Sequence, residues 1–272
     1  MDASHAGDFH VAFDGVHLTL GSRPVFRGLS CGFVRRQITV VLGGSGAGKS
    51  TMLRLIGGLE RPDSGTVRVA GEEVSRLSER RLFRVRERLG MLFQGGALLD
   101  SMTVFDNVAL PLREHTRLSE AEVAERVRER LAAVGLPDVA ELFPRHLSGG
   151  MARRAALARC VVMDPEIVLC DEPFSGLDPL NVRRIEALLV ELSRRTGLTL
   201  VVTSHHLASS LRMADRIVFL VDGRAVSGSP RELLRSEDRR IVDFLAAEGP
   251  SFDARRFAEE PAARGATGGS AS

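Results

Sequence analysis

The chain has 272 residues, 44% of them hydrophobic, and a net charge of +2. This length and apolar content allow a large buried core, as one α/β domain or as a core with an added lobe, and the near-neutral charge gives no reason to expect binding to nucleic acid. No apolar run approaches the length of about 18 residues that a membrane span needs, and the first residues lack the pattern of a secretory signal.

The first predicted elements in chain order are antiparallel strands within residues 9–33 and a buried strand over 38–42. Apolar and polar residues alternate through the first region, on both sides of a turn at 21–24. The strand over 38–42 is a run of mainly β-branched apolar residues, which is typical of burial on both faces. It leads directly into a glycine-rich loop and a helical segment over 51–56.

The glycine-rich loop fits the phosphate-binding pattern G-x-x-x-x-G-K-S/T; with the residue after it, it consists of Gly43, Gly44, Ser45, Gly46, Ala47, Gly48, Lys49, Ser50 and Thr51. Glycines let backbone N–H groups turn toward phosphate oxygens, and the helix N-terminus adds a partial positive charge. Lys49 is expected to reach the β- and γ-phosphates, and Ser50 to place its hydroxyl on Mg²⁺. Lys49 is also the only lysine among 37 Lys and Arg residues. A forked guanidinium cannot replace a compact ammonium in a phosphate cradle, so the loop predicts nucleotide binding.

The next stretch alternates strands with helices and contains a helical insertion. Its elements are a turn at 61–65, a strand at 66–69, an Arg-rich helix at 78–88, a strand at 89–93 and a helical lobe at 95–160. The Arg-rich helix is interpreted as a solvated face rather than a site for an anionic partner. In the lobe, Ser119 and Glu122 form a capping box. Apolar residues at helical spacing follow it: Val123, Val127, Leu131 and Val134.

The core pattern resumes after the lobe. Its elements are a strand over 166–170, a helix over 181–195, a strand over 198–203, a hairpin over 217–226 and a last helix from Ser229-Pro230. This alternation predicts an α/β domain over 1–247 with a mostly parallel sheet and helices on both faces. Residues 248–272 are rich in small and charged residues and are interpreted as a tail that is flexible or contacts a partner. Three cysteines, Cys31, Cys160 and Cys170, are expected to be buried free thiols of a reducing cytoplasm.

Chemically useful residues follow the ends of several predicted strands, namely Lys49, Gln94, Asp171, Glu172 and His205. The carboxyl ends of parallel strands share one edge of a sheet, so these residues are expected to meet there. Asp171 is expected to hold Mg²⁺ opposite Ser50, directly or through water, and Glu172 to polarise the attacking water. Gln94 is expected to orient that water or complete the metal shell. His205 is expected to donate to the γ-phosphate.

A second anion-binding sequence lies between the phosphate loop and Asp171. Ser148, Gly149 and Gly150, followed by Met151, open an Ala-rich helix, and such a helix N-terminus can bind an anion. One chain does not need two such sites for one triphosphate. Two chains facing head to tail do, because each sequence would then close over the partner's γ-phosphate.

Together these motifs resemble the ATPase subunit of ATP-binding cassette transporters over about residues 12–247. The matching parts are the phosphate loop at 43–50, Gln94, the signature at 147–151, Asp171-Glu172, the segment 175–178 and His205. Within that superfamily, Met151 and the stretch 95–115 resemble the ATPase of Mla-type phospholipid transport systems. The resemblance implies a P-loop NTPase (RecA-like) core with an N-terminal antiparallel β subdomain and an inserted α-helical subdomain. It also implies ATP hydrolysis with Mg²⁺, coupled to phospholipid transport that maintains outer-membrane lipid asymmetry.

The same resemblance implies an assembly. The subunit would form a homodimer, with Asp178 in the dimer contact, and would bind a multi-span permease at the cytoplasmic face of the inner membrane. The helix over 103–112 lies where this family grips the permease. A Mce-domain lipid-binding protein and a small STAS-domain protein are further implied partners, and the tail after 248 matches an extension used there in dimer contacts.

Two departures from the superfamily pattern concern the nucleotide site. Leu20 stands where most members stack adenine on an aromatic residue, so apolar contact is expected to hold the base with weak selectivity. The switch histidine is usually followed by Asp, whereas His206 follows His205 here; the switch role is assigned to His205.

Two other functions stay open at this point. One is the ATPase of an importer for amino acids or another polar solute, whose fold and chemistry would be the same. The other is a soluble cassette protein acting on DNA or ribosomes. The short interval between Lys49 and Asp171 and the single cassette argue against that class.

Overall fold

Two β-sheets with flanking helices form the fold in the computed structural model, which describes residues 9–247. The strands are β1 (Phe9–Leu20), β2 (Arg23–Val34), β3 (Ile38–Leu42), β4 (Ser64–Val69), β5 (Glu72–Glu73), β6 (Leu89–Leu92), β7 (Ile167–Asp171), β8 (Thr199–Thr203), β9 (Arg216–Val221) and β10 (Arg224–Gly228). The helices are α1 (Lys49–Ile56), α2 (Glu79–Arg86), α3 (Val104–His115), α4 (Glu120–Ala133), α5 (Gly149–Val161), α6 (Pro179–Thr196), α7 (Leu207–Met213), α8 (Pro230–Leu234) and α9 (Arg239–Ala247).

The larger sheet has the strand order β10-β9-β3-β8-β7-β6. Strands β9, β3, β8, β7 and β6 run parallel, whereas β10 pairs antiparallel with β9 in the predicted hairpin. The smaller sheet has the order β2-β1-β4-β5 and is antiparallel. The predicted α/β fold, a mostly parallel sheet preceded by an antiparallel β region, is confirmed.

Side chains of the central strands alternate between two apolar cores on opposite faces of the larger sheet. On β3, Val40 and Leu42 pack into the core that includes helices α3 to α6, whereas Val41 packs into the core shared with the smaller sheet and α1. On β8, Val202 and Val201 divide in the same way. Because side chains on a strand alternate with a period of two, burial on both faces requires an apolar residue at nearly every position.

Local signals in the sequence set the boundaries of helices α4 and α6. The capping box of Ser119 and Glu122 begins α4 as predicted, and the apolar face that follows it is buried. Helix α6 begins where the Asp178 side chain accepts from two backbone N–H groups. It ends at Gly197, whose φ of 67° is the left-handed conformation that favours glycine.

Three parts of the structure differ from the prediction. The last helix expected from Ser229 is two helices, because Asp238 starts α9 by accepting from the Arg240 backbone N–H at 3.0 Å. Helix α7 was not predicted, since seven residues give too short a pattern to reveal a helical period. Residues 95–103 were included in the helical lobe, but they form a non-helical approach to α3.

Other expectations concern cysteines, membrane spans and the tail. Cys31, Cys160 and Cys170 are buried free thiols as predicted, and burial raises the pKa of the Cys31 and Cys160 thiols to about 12. Among residues 9–247, no helix is both long enough and apolar enough to cross a bilayer. The predicted tail at 248–272 lies outside the described residues.

Candidate nucleotide-binding site

The phosphate loop connects β3 to α1 at the carboxyl edge of the larger sheet. Gly48 has a φ of 99° and begins α1. A Cβ atom on Gly48 would lie 2.8 Å from Phe26 and Val25, and one on Gly43 would lie 2.7 Å from the Leu220 carbonyl oxygen. Both positions therefore require glycine, Gly48 for its backbone conformation and for space, and Gly43 for its close approach to β9.

Lys49 lies within this loop rather than extending into solvent. Its Nζ donates to the carbonyl oxygens of Gly43 at 2.9 Å and Gly44 at 3.3 Å. Nζ also lies 3.6 Å from Oε1 of Glu172, and the Lys49 side chain is 10% exposed. A single ammonium thus connects the loop to the carboxylate at the end of β7, in the position where a bound phosphate would need a cation.

Strand register brings the Thr203 hydroxyl to Ser50 and Asp171, two of the three residues that were predicted to hold Mg²⁺ with Gln94. The Ser50 hydroxyl donates to Oδ1 of Asp171 at 3.0 Å, and the Thr203 hydroxyl donates to the same atom at 2.6 Å. Asp171 of β7 pairs directly with Thr203 of β8. Hydroxyl and carboxylate oxygens are the ligands that Mg²⁺ prefers, so the residues present fit the ion. Among residues 9–247, no group of three or more His, Cys, Asp or Glu side chains could hold a metal on its own.

Glu172 is held in a strained backbone conformation beside Asp171. Its φ is 47°, a left-handed value that costs a non-glycine residue about 1–3 kcal/mol. Its backbone N–H donates to the Thr203 carbonyl and hydroxyl oxygens at 3.2 and 3.0 Å. Its Oε2 lies 2.7 Å from Nδ1 of His205. These bonds aim the carboxylate at Lys49 and His205 rather than along the strand.

A cavity of about 600 Å³ collects most of the predicted site residues. It is lined by Leu20, Arg23, Val25, Ser45, Gly46, Gly48, Lys49, Ser50, Thr51, Gln94, Glu172 and His205. Sequence reasoning missed Arg23 and Val25, which β2 brings beside the loop. Arg23 donates from Nη2 to the Gly46 carbonyl oxygen at 2.8 Å. Leu20 is 38% exposed, so the part of the cavity expected to hold a base has an apolar side chain on its wall.

The two adjacent histidines have different surroundings. His205 lines the cavity and contacts Glu172. His206 is half-buried at the start of α7, with its ring 6.0 Å from that of Phe174 in an edge-to-face arrangement. The geometry therefore favours His205 over His206 for contact with a nucleotide.

The signature residues do not line the cavity. The Ser148 hydroxyl caps α5 by accepting from the Met151 backbone N–H at 3.3 Å, and Ser148 and Gly149 are exposed. Gly150 is buried against α6, where an added Cβ would lie 2.5 Å from Oδ1 of Asn181. Asn181 donates in turn to the Asp178 carboxylate, which lowers the pKa of that exposed carboxyl. Ser148, Gly149 and Asp178 thus lie on one exposed surface, and none of them lines the cavity at the phosphate loop of the same chain.

The buried strand, the phosphate loop and the carboxylates two strands away define a P-loop nucleotide-hydrolysing protein. Residues 26–175 match the sequence profile of the ABC transporter family. The chain belongs to this family and is an ABC ATPase.

Three relatives illustrate the similarity. The intermembrane phospholipid transport system ATP-binding protein MlaF of Haemophilus influenzae is 44% identical over 229 residues, 84% of this chain and 87% of that protein. MlaF of Escherichia coli K12 is 45% identical over 238 residues, 86% of this chain and 88% of that protein. The probable ribonucleotide transport ATP-binding protein mkl of Mycobacterium tuberculosis is 37% identical over 232 residues, 85% of this chain and 65% of that protein.

Solved structures share the fold. The dimeric ATP-binding cassette MJ0796, in a post-hydrolysis state bound to ADP and Pi, has a TM-score of 0.75 and 30% identity over 81% of this chain and 98% of that one. CbiO1 of Clostridium perfringens, part of the ABC transporter complex cbiONQ, has a TM-score of 0.78 and 26% identity over 90% of this chain and 97% of that one.

Proposed function

We propose that this chain is the ATP-hydrolysing subunit of a transporter that moves phospholipids between the inner and outer membranes of a cell envelope. The observation that carries the proposal is the 44–45% identity, over 84–86% of the chain, to proteins named for intermembrane phospholipid transport. The cavity at the phosphate loop supports the ATPase part of the proposal, because its residues are the ones that ATP chemistry needs.

In this proposal, the phosphate loop, from Gly43 to Thr51, binds the triphosphate, and Lys49 binds its β- and γ-phosphates. Ser50, Asp171 and Gln94 hold Mg²⁺, which neutralises phosphate charge when it is bound. Glu172 accepts a proton from the attacking water.

His205 completes the proposed site from the opposite side of Glu172. Its Nδ1 lies against the Glu172 carboxylate, which only accepts, so Nδ1 is the donor in that contact; Nε2 can donate to the γ-phosphate when the ring carries both protons. Loss of that phosphate then removes one contact of His205. Gln94, which lines the same cavity, orients the attacking water. Together these residues link the state of the nucleotide to two loops at the edge of the sheet.

We further propose that two copies of the chain form a head-to-tail homodimer. Ser148, Gly149 and Gly150 then contact the partner's nucleotide, and Asp178 lies in the dimer contact. This surface is exposed on the single chain and supplies helix N-terminal N–H groups, which is the chemistry a γ-phosphate requires. ATP binding closes the dimer and hydrolysis reopens it, so that closure does mechanical work on the permease.

The proposed dimer binds multi-span permease subunits at the cytoplasmic face of the inner membrane. Helix α3 and the loop before it, which begins at Gln94, supply the permease contact. A Mce-domain lipid-binding protein and a STAS-domain small protein complete the assembly, and the tail at 248–272 contributes to dimer contacts. No nucleic acid takes part, in keeping with the net charge of +2.

A second candidate is the ATPase of a polar-solute transporter, such as an amino-acid importer. The observation in its favour is the 37% identity to the Mycobacterium protein named for ribonucleotide transport. The active-site chemistry would be the same, since the ATPase subunit need not touch the cargo. The lower identity makes this the weaker candidate.

The test is to purify the tagged chain from its own membranes in mild detergent and to identify the proteins and lipids bound to it by mass spectrometry. A permease with a Mce-domain protein and enriched phospholipid is the expected result. The purified complex, placed in liposomes, should then transfer labelled phospholipid with ATP and fail to do so when Glu172→Gln is introduced. A permease with a polar-solute-binding protein and no enriched lipid would favour the second candidate, and recovery with ribosomes or DNA would exclude both.

A further inference from the structure

Arg153 is a buried cation that the proposed chemistry does not use. It lies on α5, one turn after the signature, and is 5% exposed. Among residues 9–247, no carboxylate forms an ion pair with it; burial lowers the pKa of its guanidinium. A buried charge without a counter-ion is unfavourable, and an apolar side chain of similar volume is often as stable or more stable. Stability of the fold therefore does not explain the guanidinium.

The two hydrogen bonds of Arg153 reach two separate loops of the site. Nη1 donates to the Phe93 carbonyl oxygen at 3.3 Å, and Nη2 donates to the Ser175 carbonyl oxygen at 3.2 Å. Phe93 directly precedes Gln94, which lines the nucleotide cavity. The forked, planar guanidinium suits this task because its donors point in fixed directions toward two acceptors.

Ser175 connects Arg153 to Glu172, which precedes it in the chain, and to Asp178, which follows it. Its backbone N–H donates to the Glu172 carbonyl oxygen at 3.2 Å, so a short path runs from Arg153 to the backbone of the proposed base. Asp178 follows three residues later and caps α6 beside Asn181, against which the signature residue Gly150 packs. One side chain on the signature helix is thus bonded to the segments carrying Gln94, Glu172 and Asp178.

We propose that Arg153 is a positioning residue that couples the two ATP sites of the dimer. The inference rests on the proposed head-to-tail dimer, in which the signature of one chain contacts the nucleotide of its partner. When the partner's γ-phosphate draws the signature helix toward it, Arg153 moves the Gln94 and Ser175 segments of its own chain in the same step. The readiness of one site to hydrolyse then depends on occupancy of the other, which is a coupling free energy between sites.

The chain offers a matched control on the same helix. Arg154 also donates to two backbone carbonyls, those of Val134 and Gly135, at 3.1 and 2.9 Å. Those acceptors follow α4 in the helical region and belong to no segment that carries a proposed site residue. Loss of Arg154 therefore removes the same number and type of bonds without touching the link between the sites.

The experiment compares Arg153→Met, Arg153→Lys and Arg154→Met in the complete transporter complex. ATPase rate is measured against ATP concentration, and ATP affinity and melting temperature are measured on the full-length chain. Arg153→Met should lower kcat by about 10- to 100-fold and bring the Hill coefficient toward one, with ATP affinity and melting temperature nearly unchanged. Arg153→Lys should recover part of both losses because an ammonium can still donate to a carbonyl. Arg154→Met should keep the Hill coefficient of the wild type.

Three results would overturn the role of Arg153. Unchanged kcat and Hill coefficient in Arg153→Met would show that the bonds transmit nothing. An equal loss in Arg154→Met, or a fall in melting temperature and ATP affinity that accounts for the fall in kcat, would show a packing role only. If the wild-type complex hydrolyses ATP without cooperativity, both the proposed ATP-driven dimer and the coupling through Arg153 are contradicted. If cooperativity is present but the complex does not transport lipid, only the proposed cargo is contradicted.

Discussion

Nδ1 of His205 lies 2.7 Å from Oε2 of Glu172, and the other carboxylate oxygen of Glu172 lies 3.6 Å from Nζ of Lys49. The Glu172 side chain is 12% exposed and that of His205 is 57% exposed. The histidine is therefore the member of the pair that an entering ligand meets first. Lys49 and His205 contact the two oxygens of the Glu172 carboxylate, so other residues of the chain hold it in position.

Replacing Glu172 by Gln should separate binding from hydrolysis. The amide keeps the size of the side chain but cannot accept the proton of the attacking water, so kcat should fall about 10²- to 10⁴-fold, equivalent to roughly 3–5 kcal/mol. ATP affinity should stay within a few-fold of the wild type. Single-turnover ATPase rates and equilibrium ATP binding measure the two effects. Glu125→Gln, an exposed carboxylate of α4, is the control, and near-normal hydrolysis by Glu172→Gln would rule out Glu172 as the base.

Replacing Lys49 by Ala should act mainly on nucleotide binding, which it should weaken strongly, rather than on the chemical step. The substitution removes the only ammonium of the phosphate loop, and the affinity for ATP should fall by about 100-fold or more because a charge-assisted contact in a nearly buried position is lost. Fluorescent ATP-analogue titration measures the change. Arg54→Ala removes an exposed cation of the same helix and should leave affinity unchanged. Tight binding by Lys49→Ala would contradict the placement of phosphate in this loop.

An aromatic residue at position 20 should strengthen binding of the base. Leu20 lines the cavity, and the chain has neither Tyr nor Trp to stack on adenine. Leu20→Tyr should tighten ATP binding by about 1 kcal/mol, roughly fivefold, since stacking of a base on an aromatic ring contributes about 1–3 kcal/mol. The same titration with ATP and with the tripolyphosphate anion measures it. Only ATP should bind more tightly; an equal gain for tripolyphosphate, or a gain in the exposed control Leu59→Tyr, would place the base elsewhere.

The dependence of stability on pH is predicted from His10, a buried histidine that lies at the edge of the larger sheet opposite the nucleotide site. His10 is 4% exposed, with Nδ1 2.7 Å from the Thr199 hydroxyl and Nε2 3.3 Å from the Glu166 carboxylate. Burial, and next the charge of Arg35, lowers the pKa of His10 below its usual 6.5, although Glu166 opposes this. The unfolded chain therefore takes up a proton at His10 near pH 6.5 while the folded chain does not.

It follows that the free energy of unfolding should decrease as the pH falls below 6.5, and that part of this decrease belongs to His10. His10→Gln should flatten the pH dependence between pH values of about 5.5 and 7.5, because the amide keeps the hydrogen-bonding shape without titrating. Urea unfolding at several pH values measures the slope. The Glu166 carboxyl does not contribute to the slope in this pH range, since the hydrogen bond from Arg88 holds its pKa below the usual 4.5. An identical slope in wild type and His10→Gln would contradict the assignment.

The parts of the site that the sequence predicts are those encoded by neighbouring residues. The phosphate loop from Gly43 to Ser50 is a local pattern, and Asp171 and Glu172 are marked by the buried apolar run of β7 that leads to them. Their meeting at one edge follows from the rule that parallel strands present their carboxyl ends together. Of these residues, Ser45, Gly46, Gly48, Lys49, Ser50 and Glu172 line the cavity.

The missed residues depend on pairings between distant strands. Thr203 is an unremarkable end of β8 until the register sets it beside Asp171. Arg23 follows a turn in the antiparallel sheet, and only the packing of that sheet on the phosphate loop brings its guanidinium to the Gly46 carbonyl. Arg153 reads as one polar residue of an Ala-rich helix, and nothing in its neighbours indicates that it is buried. Short-range patterns carry no information about such contacts.

The solitary lysine has a consequence for chemical modification. All the other residues in the count of Lys and Arg are arginines. A side-chain amine can therefore be acylated only at Lys49. That amine is held over the phosphate loop. Acetylation would remove its charge and enlarge it in a nearly buried position. Acylation of a lysine side chain in this protein therefore always modifies the phosphate loop. Each modified molecule is expected to lose nucleotide binding, because the chain has no second lysine at which acylation would leave binding intact.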